Sequence, residues 1–378
     1  MASNNDHERV ADELFGTVPP ALGLYFHVYD SLLVHKGDYV LPFEDSVSPA
    51  RIRPVTNDGL LEAAAVLRRD PALTLDQTCE HLAARPGRTS GTHEFRLTTL
   101  VSTQAVFMLD STEPAERWLP GERFVDFVSR RIPETAGISA AAKSAVENQR
   151  SMKAWKLRAR FRLLFKGTTN LAHHLLLDPL HPDGPTLYIF HYTAFLRAQL
   201  GRLHQHKVQK DPDTLACLKL GCLPPRLIIE TLHSIQTILF HFSDHRSSRI
   251  LERLITKQGF DDDCAQIHGY KMSADDGDMM EYRYWGERLA ALQAFMRERP
   301  PRNGFERWIK WQTSESNAFA LALAALLISV VVGFLGLAVA ALQTWIAWEA
   351  WTAPVSNDDD TLATLREIVD LLRDQARR

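Results

Sequence analysis

Histidine is the residue type this chain offers most freely for chemistry, with 15 in 378 residues. His173, His174, His191, His204 and His206 fall within its central region. Imidazole nitrogens ligate Zn, Fe or Mn, and a catalytic site takes one His from each of several elements plus an open position. His204-x-His206 has a spacing that can share one ion. Two features weigh against a site. Metal-site carboxylates are not obviously interleaved with these histidines, and the adjacent His173 and His174 cannot both face one point from a helix. Amphipathic histidines packed in or near a small core are the plainer reading, and no residue is assigned a catalytic, cofactor-binding or metal role.

Other chemistries leave less trace. Cys79, Cys217, Cys222 and Cys264 are too few and scattered for a disulfide framework. Cys217-x4-Cys222 lacks the paired spacing of a zinc ribbon, so buried free thiols are expected, in keeping with a reducing cytosol. The sequence has no G-x-S-x-G elbow, G-x4-G-K-[ST] loop, G-x-G-x-x-G turn, H-E-x-x-H pair or kinase signature set. The stretch Lys153–Lys166 is basic, with Trp155, Phe161 and Phe165 interspersed. Such a run can touch RNA or an anionic leaflet, but is more often the wet face of an element. With 43 Lys plus Arg against 46 Asp plus Glu, net charge −3 gives no pull towards nucleic acid, and none is expected as partner.

The elements that must position these residues are mostly helical. LGLYFHVYDSLLV suits strand or helix, and YVLPFED an extended piece. TNDGLLEAAAVLRRDP predicts a helix capped near Asn57 or Asp58 and ended by Pro71. LTLDQTCEHLAARPG predicts a second, with Leu75, Cys79 and Leu82 on one face. THEFRLTTLVSTQAVFMLD and RFVDFVSRRIP predict two more. The first three invite a helix-turn-helix reading, even a regulator released from a membrane by cleavage; the third is not notably basic, so a packed interaction domain is preferred. Residues 136–150 are rich in Ala, Ser and Gly and read as a linker or weak helix.

In the central region, Arg158, Arg160 and Arg162 alternate with Ala159 and Phe161, as in a strand with one wet face. TLYIFHY is a second strand by its β-branched and aromatic content. TNLAHHLLLDP between them, and TAFLRAQLGRLHQH after, read as helices. The expectation is a small two-stranded β element. LPPRLIIETLHSIQTILFHF, SDHRSSRILERLITKQGF with a C-cap at Gly259, and EYRYWGERLAALQAFMRERPP complete the helical set.

Then comes Asn317–Trp348, with no charged side chain between Glu315 and Glu349. About 20 apolar residues in a helix cross a ~30 Å hydrocarbon core, and this run exceeds that. Trp308 and Trp311 precede it, and Trp345, Trp348 and Trp351 close it, as at headgroup level. Trp311 and Trp345 would be roughly 50 Å apart on one straight helix, longer than a whole bilayer. The core of the span is therefore placed at 318–342, with FERWIKW along the surface. A hairpin turning at Gly333–Gly336 would leave each half at about 16 residues, short for a crossing. Arg297, Arg299, Arg302, Arg307 and Lys310 precede the run; Glu349 and Asp358 to Asp360 follow, with no Lys or Arg before Arg366. Basic flanks stay cytoplasmic, which predicts a cytosolic N-terminal body and a lumenal or extracellular tail. The polar, acidic opening MASNNDHERVADELFG gives no secretory signal, so insertion is expected to depend on this helix. Ser329/Gly333 and Gly336/Ala340 allow close helix approach. Leu362, Leu365, Val369 and Leu372 have heptad-like spacing in the tail. Either could support weak homodimerisation.

The succession FRLLFKGTTNLAHHLLLDP, LYIFHYTAFLRAQL, LPPRLIIETLHSIQTILF, GFDDDC, YRYWGERLAAL and GFLGLAVAALQTWIAWEAW resembles a group of uncharacterised proteins of filamentous fungi. The resemblance runs from Trp155 to Trp351. It implies a helical body, an aromatic YWG-type helix, one membrane span with a Trp-rich end, and a fungal origin; it carries no activity and no catalytic residues.

The chain thus reads as mainly α: an N-terminal helical domain (1–135), a linker (136–150), a central domain with the β element (151–300), a juxtamembrane segment (301–316), a transmembrane helix (317–350) and an acidic tail (351–378). Its expected role is a membrane-anchored interaction or scaffold module, with the bilayer and cytosolic proteins as partners. The alternative is an enzyme at the membrane, metal-dependent through the central histidines.

Overall fold

A computed structural model describes residues 4–16, 22–33, 55–84, 92–114, 116–135, 137, 139–207, 212–266, 281–298, 318–352 and 359–376. The YVLPFED and FERWIKW segments lie outside the described residues. The chain is mainly helical with one small sheet, and it divides into two units, Met1–Arg299 and Pro300–Arg378.

In the first unit, α1 (Asn4–Phe15) and α2 (Gly23–Leu33) precede three mutually packed helices, α3 (Asn57–Arg69), α4 (Leu75–Ala83) and α5 (Thr92–Phe107). The cap of α3 is Thr56, whose hydroxyl accepts from Gly59 N; α4 opens on a full capping box between Thr74 and Gln77. Leu75, Cys79 and Leu82 are buried as their spacing predicts. α6 (Phe124–Arg131) is tied by backbone bonds from Phe124 N and Val125 N to Leu73 O and Pro71 O.

The segment read as a linker or weak helix forms α7 (Ala140–Glu147), capped by Ser139, with Ala142, Ala145 and Val146 buried. It packs on α13 (Gly286–Glu298) so closely that a Cβ on Gly286 would lie 3.1 Å from that of Ala142. Contacts also join the helices before it to those after it. Tyr25 stacks on Phe195 with centroids 5.4 Å apart, and Gln199 Nε2 donates to Val106 O at 2.8 Å.

The sheet departs from expectation in two ways. The alternating arginines lie on a helix, α8 (Ala154–Phe161), ended by Arg162 in the left-handed conformation (φ 54°). Ala154, Leu157 and Phe161 bury one face at helical spacing, and three alternating pairs are too few to impose a strand period. The first strand starts two residues later, as β1 (Leu164–Thr168).

Secondly, the sheet has three strands in the order β1-β3-β2. β1 runs parallel to β3 (Thr186–Phe190), and the two-residue β2 (Leu177–Asp178) is antiparallel to it. TNLAHHLLLDP, expected as a helix, supplies a single 3₁₀ turn at Leu171–His173 and then β2. Local bonds compete with the helix there: Asn170 N donates to Thr168 Oγ1, and Asn170 Oδ1 accepts from Ala172 N. Leu175 N then donates to Tyr188 O on β3.

α9 (Thr193–Gln205), α10 (Thr214–Lys219), α11 (Pro225–His233) and α12 (His245–Gln258) complete the unit with α13; α11 continues as a π-helical stretch over Ser234–Leu239.

The second unit holds α14 (Ala318–Thr352) and α15 (Asp359–Gln375). α14 has 35 residues and is long and apolar enough to cross a membrane; none of its most apolar window, within Ala325–Thr352, is covered by protein. Pro and Asp are absent from it, so every backbone N–H past the first turn has an i−4 carbonyl partner.

Candidate functional site

The central histidines divide among three separate environments. His173 leaves the 3₁₀ turn to meet two carboxylates from the α5–α6 connection. Its Nε2 lies 2.9 Å from Glu116 Oε2 and 4.0 Å from Glu113 Oε2, with one ligand atom from each residue within 4.8 Å of the others. One imidazole and two carboxylates form a set that Zn, Mn or Fe accepts. Arg131, on α6, already pairs with the same Glu116 oxygen. Burial tends to raise the Glu116 pKa, but hydrogen bonds from Arg131 and His173 outweigh it and hold the carboxyl below its usual range. The guanidinium supplies the positive charge that a cation would bring, so the group is satisfied as an ion-pair cluster.

His174 points the other way and is fully buried. Its Nδ1 accepts from Phe190 N at 3.2 Å, which leaves the proton on Nε2, 2.7 Å from Ser234 Oγ. Ser234 Oγ in turn donates to Thr231 O at 2.7 Å. The pair has the composition of a nucleophile and base but the wrong protonation pattern, because Nε2 donates and cannot take the hydroxyl proton. Burial, then the nearby Arg288, holds the His174 pKa well below its ordinary value.

His191 is sandwiched between Tyr192 and Phe260, each with centroids 4.4 Å from its own. Its Nδ1 accepts from Asp261 N at 3.2 Å, and burial lowers its pKa to about 4. The other face of the site is Gly167, where a Cβ would sit 2.8 Å from the ring. His204 and His206 are exposed at the end of α9 and belong to none of the three arrangements.

Two segments of unusual composition prove to be clasps. In GFDDDC, Asp261 Oδ2 accepts from Ala194 N at 3.0 Å and so caps α9 from another part of the chain. Burial raises that carboxyl to about 6, against the backbone N–H bonds and Arg197. Asp263 pairs with Arg197, and Cys264 Sγ donates to His191 O at 3.1 Å. Burial pushes the Cys264 thiol up to about 12, so it is inert; all four cysteines are buried, with no disulfide between them.

In EYRYWG, three successive amides donate to one buried carboxylate. Arg283 N reaches Glu230 Oε1 at 2.7 Å, while Tyr284 N and Trp285 N reach Oε2 at 2.9 and 3.1 Å. Trp285 Nε1 donates to Thr231 Oγ1 at 2.8 Å, and Tyr282 OH lies 2.6 Å from His233 Nδ1. Burial raises Glu230 to about 7 despite the three amides and Arg226, and lowers His233 to about 4.

The sequence reading missed Glu230, Ser234 and Asp261 as positioning residues. The available signal was one carboxylate inside the apolar run LIIETLHSIQTIL, at a position with no solvent. A cleft of about 250 Å³ lined by Val128, Ile132, Glu134, Thr214, Leu227 and Tyr284 contains none of the histidines. The basic stretch carries its Arg158, Arg160, Arg162 and Lys166 exposed, with Trp155 under Arg246 at 4.9 Å.

No protein-family model, curated protein or solved structure matches the chain. The assignment of a role therefore rests on its own geometry.

Proposed function

We propose that this protein is a single-pass membrane-anchored interaction module, with the helical unit Met1–Arg299 presented to the cytosol and the acidic tail on the opposite side. The observation that carries the reading is α14: 35 residues, uncharged up to Glu349, with its apolar side chains open to the surroundings from Ala325 onwards. Phe334 at 72 % and Leu337 at 71 % exposure have no protein to cover them, and a hydrocarbon phase satisfies them without one. Orientation follows from the five basic residues between Arg297 and Lys310 and the acids after Glu349.

A binding role fits the first unit better than catalysis does. His174 and His191 are held neutral by burial and are engaged in backbone or hydroxyl bonds, and His173 is paired with Glu116 beside Arg131. The likeness to the fungal group adds a common layout of body, span and Trp-rich end, and proteins of the cytosol are the partners it would present. A glycosylation sequon placed in turn in the tail and on the body tests orientation. Modification in the tail alone is expected; modification of the body alone would reverse it.

A metal-dependent enzyme at the membrane is the second reading, favoured among the described residues by Glu113, Glu116 and His173. Metal analysis of the purified protein is expected to find no stoichiometric Zn, Mn or Fe. A stoichiometric metal lost on His173→Ala would favour the enzyme.

A further inference from the structure

α15 has an apolar face with no protein against it. Leu362, Leu365, Ile368, Val369 and Leu372 are all more than half exposed. At ~100° per residue these five fall within an arc of about 120°. The charges divide around it. Arg366 and Arg373 sit at one edge of the arc, next to Leu362 and Val369, whereas Glu367, Asp370 and Asp374 lie on the opposite side.

Two occupants could cover such a face: a second copy in a coiled coil, or a lipid surface. In the heptad register that places Leu362 and Val369 at a, and Leu365 and Leu372 at d, the arginines take e positions. The g positions are then Ile368 and Gln375, which offer a parallel partner no opposite charge; an antiparallel partner would set Arg366 against Arg373. Ile368 also widens the face beyond a narrow seam, and barely two heptads are present. A bilayer asks for none of these pairings. It takes a wide apolar face, long basic side chains at its border that reach back to the headgroups, and acids turned to water.

Position points the same way. Six residues separate Thr352 from Asp359, and a chain of that length reaches at most ~25 Å. The start of α15 therefore stays within ~25 Å of the Trp-rich end of α14, closer to the bilayer than to any other apolar phase of stated position.

We propose that α15 lies in the plane of the membrane interface, its leucine face in the headgroup–acyl boundary, as a second anchor on the far side of the span. The inference rests on the membrane-spanning reading of α14. The helix carries Asp359, Asp360, Glu367, Asp370 and Asp374 against Arg366 and Arg373, so apolar insertion and not attraction to anionic lipid drives it.

The test uses the full chain in phosphatidylcholine nanodiscs with a single nitroxide label, at Leu365→Cys, Val369→Cys or Asp370→Cys in turn. The four native cysteines are buried and leave the introduced one as the reactive site. Relaxation by oxygen is expected to exceed that by a water-soluble nickel chelate several-fold at 365 and 369, and the order to reverse at 370. Adding anionic lipid should leave these ratios unchanged. Equal nickel access at all three positions in disc-bound protein overturns the surface helix alone. Shielding at 365 and 369 from both relaxants, with spin–spin broadening between labels, assigns the face to a second copy and also overturns it. Failure of the chain to enter discs overturns both the span and the surface helix.

Discussion

The two units of this chain solve the same problem with different partners. In Met1–Arg299 the large apolar side chains are covered by protein: Trp118, Trp285, Phe124, Phe127, Phe190 and Phe195 are all under 2 % exposed. In Pro300–Arg378 comparable side chains have no cover, with Trp345 at 68 % and Trp351 at 80 %. The first unit supplies its own apolar phase and fixes its polar groups by directed bonds, Glu230 to three amides and Asp261 to the start of α9. The second exposes its apolar side chains and would take its apolar phase from outside. The contrast shows why polar residues inside the first unit read as fasteners, while the run of α14 from 318 to 342, polar only at Ser329, reads as a solvent preference.

Separating the units should give the largest effect. A chain ending at Arg299 is expected to be soluble without detergent and to unfold at the temperature of the same unit in the detergent-solubilised full chain, by differential scanning calorimetry. A truncated chain that aggregates or melts much earlier would mean that the first unit borrows cover from the second.

Within the first unit, Trp285→Ala should cost ~3–5 kcal/mol in denaturant unfolding, since it empties a buried indole site and removes the donor to Thr231 Oγ1. Glu230→Gln should cost less, but with a pH signature. A carboxyl raised to about 7 contributes stability that is full below its unfolded pKa and is lost as pH rises through 7, so the cost of Glu230→Gln should shrink between pH 4.5 and 7.5. His233, lowered to about 4, contributes above pH 6.5 and loses that contribution on acidification through 4. The cost of His233→Asn should therefore shrink in the opposite direction.

Gly167→Ala should cost ~1–3 kcal/mol, because the new Cβ meets the His191 ring, which Phe260 and Tyr192 prevent from moving. The smallest effects belong to half-exposed or uncovered groups. His173→Ala should cost ~1 kcal/mol or less, as for other half-exposed ion pairs. Leu365→Glu should leave the unfolding of the first unit unchanged.

The sequence made the helices legible wherever an apolar stripe and a stop signal coincided, as from Leu75 to Leu82 or at Gly259. Composition alone exposed α14. The sheet was harder to read because its strands are set by partners distant in sequence. Arg158 to Arg162 alternate for too few residues to outweigh the helical spacing of Leu157 and Phe161. His173 and His174, adjacent in sequence, face a surface ion pair and a buried serine because the 3₁₀ turn and Leu175, at φ 56°, redirect the chain between helix and strand periods. Glu230 and Asp261 act on backbone amides about 55 and 67 residues away, a relation no local pattern encodes.

Alkaline carbonate extraction of membranes from cells expressing the full chain tests the central claim most directly. The protein should remain in the pellet, and a Val331→Arg, Leu335→Arg variant should move to the supernatant, since two arginines at the middle of the span cost ~5–7 kcal/mol of insertion. Release of the unaltered chain into the supernatant, with its first unit folded, would contradict the anchor.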